Sequence, residues 1–165
     1  MPTGLIQPPV NGEFYIDNEN DDFYLREGGV WGWKGRIMRA SAIGFYGDGP
    51  FTDAQTFPLA EFLSDLRFTA AFSGPRSFIK ADAPPSTDVN IVVTDNLAAF
   101  LGTGNRAICT GTILAGEGTA TTLSWLEGTI VPAGSRLWIV MPSPADPAMA
   151  FVRTIIAGEI VPGGT

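Results

Sequence analysis

At 165 residues, 45 % of them hydrophobic and only 16 % charged, the chain has room for one ordinary domain, or for a small module followed by a domain of about 100 residues, with extensive burial. Its formal charge of −7, from 17 acidic against 10 basic residues with no basic cluster, excludes the positive face that phosphate neutralisation needs, so nucleic acid is not an expected partner. No apolar run approaches the roughly 20 residues that cross a bilayer, and no basic start followed by an apolar stretch marks a signal peptide, so a soluble protein made in a cytoplasm, without membrane insertion, is expected.

Residues 1–11 (MPTGLIQPPVN) carry three prolines and a glycine before any periodic pattern begins. They read as an extended arm. The run Gly12 to Gly35 (GEFYIDNENDDFYLREGGVWGWKG) sets aromatic and apolar residues around a polar turn at 18–22 and a double glycine at Gly28–Gly29. This is the pattern of a short β-meander, with strands near 14–17, 22–26 and 29–33. So small a meander wants neighbours, in the same chain or in other copies. Phe14, Tyr15, Phe23, Tyr24, Trp31 and Trp33 are its candidate interface or attachment residues, because rings in so small a module are core or contact surface, where Trp and Tyr are enriched. The alternative is a sugar-stacking platform at Trp31 or Trp33.

Residues 36–50 give one or two short strands ending in Gly-Asp-Gly-Pro. After them Leu59, Phe62, Leu63 and Leu66 recur at helical spacing, with Pro58 suited to a first turn and Glu61 and Asp65 opposite. That spacing predicts a short helical connector over 51–66. From Arg67 the pattern is β, with strands expected at 67–73, 77–81, 88–95, 106–115, 119–126, 129–131, 136–141 and 149–160, a turn signal separating each pair. Seven or eight short strands at this spacing indicate a sandwich or barrel. The 20 glycines and 13 prolines follow no collagen period and serve as turns.

Chemistry-bearing patterns are few. Asp17, Glu19 and Asp21 have the odd spacing of a calcium loop, but the positions that an EF-hand fills with Gly and Glu hold Asp22 and Gly28, which leaves an acidic hairpin tip or, less favoured, a loose surface calcium site. Gly102-Thr103-Gly104 and Gly116-Glu117-Gly118 lack the lysine, the hydroxyl and the following helix of a phosphate cradle, and read as hairpin turns. The chain has a single cysteine, Cys109, and no histidine, so no internal disulfide, common metal set or activated thiol can be assembled; Cys109 reads as a small buried residue. Trp125 and Trp138 read as sandwich core. Asp82, Asp88 and Asp95 have no spacing that argues for a hydrolytic site. Neither catalytic residues nor a metal nor a cofactor is expected.

Two resemblances go further. The GEFYID…FYL…GGVWGWKG run resembles a short module of bacteriophage fibre proteins, matching at Gly12, Phe14, Tyr15, Ile16, Asp17, Tyr24, Gly28, Gly29, Trp31, Gly32 and Gly35, with Glu13 in place of the usual Asp. The segments FIKADAPPSTDVNIVVTDN, GTILAGEGTATT and VPAGSRLWIVMPSPADPAMAFVRTIIAG resemble a β-sandwich domain of phage tail-fibre, baseplate and other virion proteins. The matching positions are Ala83–Pro85, Ala115–Gly118, Ala133–Leu137, Pro142, Asp146 and Gly158, while Ser135 and Arg136 depart from the usual acidic corner. The resemblances imply a non-enzymatic virion protein, a tail-fibre or baseplate appendage contributing to host attachment, homotrimeric, in contact with other virion proteins and with a host-surface glycan as a further partner. A head fibre or capsid decoration protein is the nearest alternative, and a glycan-binding module the next. The expected architecture is all-β: an arm and β-meander over 1–50, a helical connector over 51–66, and a jelly-roll-like antiparallel β-sandwich over 67–165.

Overall fold

A computed structural model describes residues 14–17, 22–27, 30–36, 40–61, 63–70, 76–102 and 106–161. The fold is nearly all β and antiparallel, and the chain divides into two compact units, Met1–Arg39 with Pro162–Thr165, and Ala40–Val161.

The first unit holds the three strands β1 (Phe14–Asp17), β2 (Asp22–Glu27) and β3 (Val30–Arg36), in that order across one sheet. β1 meets β2 from Phe14 opposite Leu25 to Asp17 opposite Asp22, and β2 meets β3 from Glu27 opposite Val30 to Asp22 opposite Arg36. A bulge between Phe23 and Tyr24 shifts the second register.

The second unit is a sandwich of two five-stranded sheets. Its strands are β4 (Ala40–Gly47), β5 (Thr56–Glu61), β6 (Leu66–Phe68), β7 (Phe78–Ala83), β8 (Val89–Thr94), β9 (Ala107–Ile113), β10 (Thr122–Trp125), β11 (Thr129–Val131), β12 (Arg136–Val140) and β13 (Ala150–Ile160), and a short helix, α1 (Leu97–Leu101), lies between β8 and β9. One sheet runs β10-β9-β8-β12-β5; the other runs β11-β6-β13-β4, with β7 also on β13. The length of β13 makes this possible, for it pairs β4 along Val152–Glu159 on one side, and β7 at Ala150–Ile155 and β6 at Glu159–Ile160 on the other.

Strict alternation supplies the core. In β8, Val89, Ile91 and Val93 are buried while Asn90 is exposed; in β13, Val152, Thr154 and Ile156 are buried while Phe151 and Arg153 are exposed. Ile79, Ile108, Ile113, Leu137, Ile139 and Phe68 complete one apolar cluster fed by both sheets. Gly111 sets how closely the two sheets approach, and Gly158 on β13 makes room for Phe68 of the neighbouring strand β6. A Cβ on Gly111 would stand 2.6 Å from Ile79 Cδ1, and one on Gly158 would stand 2.9 Å from Phe68 Cε1. Phe68 also stacks on Trp125, ring centroids 6.5 Å apart at 11°. Trp138, expected in the core, instead alternates with buried Leu137 and Ile139 and is half-buried.

The helical connector is a strand. Residues 56–61 form β5, an edge strand on β12, and of the residues that define the helical spacing Leu63 is 99 % exposed while Leu66 is 1 % exposed, so they share no buried face. Phe62 lies outside the described residues. The competing period of two wins because β12 offers a ladder: Phe57 packs 5.0 Å from Phe45 and 6.1 Å from Phe51 by ring centroids. Exposed Pro58 sits opposite Trp138, next to the bulge that leaves Leu59 of β5 unpaired in the ladder, where an edge strand loses little by lacking an N–H. The expected boundaries move with it. Residues 40–50 do not belong with the meander, since β4 packs Ile43 into the sandwich core and pairs with β13.

Candidate functional site

The six aromatic candidates of the meander divide by register. Tyr15, Tyr24 and Trp33 are successive cross-strand partners, and Arg26 lies opposite Trp31 two residues along. Phe14 pairs with Leu25, and Phe23 with Ile16. Tyr24, Arg26 and Trp31 are half-buried. Of the acidic turn, Asp17 and Asp22 face each other at the hairpin end, and Glu19 and Asp21 lie outside the described residues.

The motif positions of the sandwich act as turns and ties. Asp146 is 4 % exposed, and its Oδ2 accepts hydrogen bonds from the Ser86 and Thr87 backbone N–H groups at 2.8 and 2.9 Å and from their hydroxyls at 2.9 and 3.0 Å. Its Oδ1 accepts from Ala148 N at 2.9 Å. Burial by itself would raise this carboxyl, but the bonds from Ser86, Ala148 and Thr87 outweigh it and hold the group well below the ordinary carboxylate range. Asp146 thus ties the segment after Ala83–Pro85 to the β12–β13 connection. Pro85 O in turn accepts from Gly116 N at 2.8 Å, and Gly116 and Gly134 take φ of +76° and +80° in the turns where the motif places them. Leu137 and Pro142 are buried.

The acids considered for hydrolysis are kept apart. Asp82 pairs with Arg153 at 2.6 Å, Asp88 accepts from Ala115 N at 2.9 Å, and Asp95 pairs with Arg106 at 3.2 Å, so that Asp88 and Asp95 flank opposite ends of β8. Glu61 and Asp65, expected on a wet helix face, tie strand ends instead, to Arg136 Nη2 at 3.0 Å and Ala133 N at 2.8 Å. Cys109 is fully buried in β9, and burial pushes its thiol up to about 12.

Sequence reasoning missed an open groove on the outer face of the sandwich. On the outer side of the β4–β13–β7 sheet two successive cross-strand rows read Gly44, Ile155, Phe78 and Tyr46, Arg153, Lys80. Gly44 supplies no side chain, and an open groove of about 420 Å³ results, lined by Gly44, Tyr46, Phe78, Arg153 and Ile155. Tyr46 is 58 % exposed, and the Asp48 carboxylate beside its hydroxyl is the main reason its acidity is weakened. Lys80 Nζ lies 5.3 Å from the Phe78 ring centroid, a cation–π distance. Phe151, earlier on the same strand, is exposed at φ 54°, a region bulky residues avoid. The signal was present as aromatic residues at outward positions of three strands, but only the pairing joins them.

Compared with known proteins, the chain matches no family model, no curated protein and no solved structure.

Proposed function

We propose that this protein is a non-enzymatic structural component of a bacteriophage virion, a tail-fibre or baseplate appendage contributing to host attachment. In this reading it is made in the host cytoplasm, assembles as a homotrimer, and contacts other virion proteins through the meander while the sandwich is displayed. The observation that carries the reading is the use of the motif positions. The segment after Ala83–Pro85, Gly116, Gly134, Leu137, Pro142 and Asp146 are spent on turns, burial and a carboxylate tie, as expected of a scaffold whose recurring residues maintain shape. The Tyr24, Arg26 and Trp31 set adds interface chemistry, since Trp, Tyr and Arg dominate contact hot spots.

Particles assembled without the protein test this. An appendage role predicts intact heads that no longer adsorb to cells. Particles that adsorb normally but lose resistance to heat or chelation contradict it and favour the capsid decoration alternative. For the trimer, native mass measurement of the full chain should give three copies, and a monomer removes that part of the proposal.

A further inference from the structure

The groove over Gly44 combines three features that together specify a ligand class. Its walls are aromatic, from Tyr46 and Phe78, and its floor is Ile155 and the β13 backbone. Its volume of about 420 Å³ falls in the range of small-ligand sites. The charges at and around it cancel: Arg153, which lines it, is bonded to Asp82 at 2.6 Å, while Lys80, opposite Arg153 on β7, and Asp48, close to Tyr46, stand at its margin. An anionic ligand would meet the two aspartates and a cationic one the two bases. A ligand with no net charge, an apolar face for the rings, and both donors and acceptors at its edge matches all three.

We infer that this groove binds a neutral saccharide, one pyranose lying over Ile155 between the Tyr46 and Phe78 rings with its hydroxyls toward Arg153 and Asp82. The C–H face of the sugar covers the aromatic surface. Arg153 has five N–H donors, of which the Asp82 pair leaves some for hydroxyl oxygens, and the Asp82 carboxylate has acceptor capacity beyond that pair. The inference goes beyond the virion reading, because it depends on neither location nor assembly, and it places the sugar on the sandwich and not at Trp31 or Trp33.

Gly44 makes the inference testable. A Cβ there would meet only the Thr154 carbonyl oxygen, at 3.7 Å, so Gly44→Leu should fold normally and fill the groove; Tyr46→Ala, at an exposed position, is the second variant. Saturation-transfer NMR on the full chain with maltohexaose, cellohexaose and chitohexaose, and with trigalacturonate as the anionic counterpart, reads the outcome. The expected result is binding of at least one neutral oligosaccharide, weakened by about tenfold or more in both variants, with trigalacturonate unbound and Trp31→Ala unchanged. Absence of binding by all three neutral oligosaccharides overturns the inference. So does binding that survives Gly44→Leu, preference for trigalacturonate, or a concentration-dependent dimer that Gly44→Leu abolishes while no sugar binds.

Discussion

The best-buried ring of the sandwich and the described rings of the meander differ in their surroundings. In the sandwich, Phe68 is fully buried and stacked on Trp125, closing a core fed by both sheets. In the meander, Tyr24 and Trp31 are half-buried on a single three-stranded sheet. A sheet with a second layer satisfies its own hydrophobic face, as both sheets of the sandwich do. The proposal assigns stability to the sandwich and contact to the meander, and substitutions in each unit can break that division or sharpen it.

The largest effect should come from Phe68→Ala, which removes a fully buried ring and leaves a void under Gly158; a loss of about 3–5 kcal/mol in denaturant unfolding is expected. Trp31→Ala, the matching truncation in the meander, should leave the sandwich transition in place while reducing assembly, as read by native mass. Next comes Asp146→Asn. The folded carboxyl sits below its ordinary value, so its stabilisation is present above the unfolded pKa of about 4 and is lost as pH falls toward the folded value. The variant should melt lower than the parent at pH 7, and the gap should close as the pH is taken below 4. A gap that widens in acid would contradict the tie.

Gly111→Ala and Gly158→Ala should follow, each forcing a methyl against Ile79 or Phe68 at under 3 Å, with an expected cost of about 1–3 kcal/mol. Smallest is Gly44→Ala on the outer side of the same sandwich, where the nearest atom is at 3.7 Å; a change within about 0.5 kcal/mol is expected. If the three alanines cost the same, glycine in this sandwich does not divide between close packing inside and an open groove outside.

Much of the fold was legible because period-two alternation and turn residues agree. Strands expected at 14–17 and 129–131 are found there, and 149–160 becomes Ala150–Ile160. The error over 51–66 has a physical origin: Leu59, Leu63 and Leu66 fit a helical spacing locally, but the ladder that β12 offers to Phe57 and Ala60 is invisible from one segment. Helix α1 was missed for a related reason, since LAAFL is too short to show a period. The aromatic candidates of the meander were found as residues but not as pairs, because only the register sets Tyr15 against Tyr24 and Tyr24 against Trp33. Tyr46, Phe78 and Arg153 meet only through the pairing of β4 and β7 with β13.

The most direct measurement of the central proposal is immunogold electron microscopy of intact virus particles carrying this protein, wild type beside Trp31→Ala. The proposal predicts label at the tail or baseplate of wild-type particles, and its loss from the variant although the variant protein is folded. Particles without label, with the protein found only in the infected cell, would contradict it.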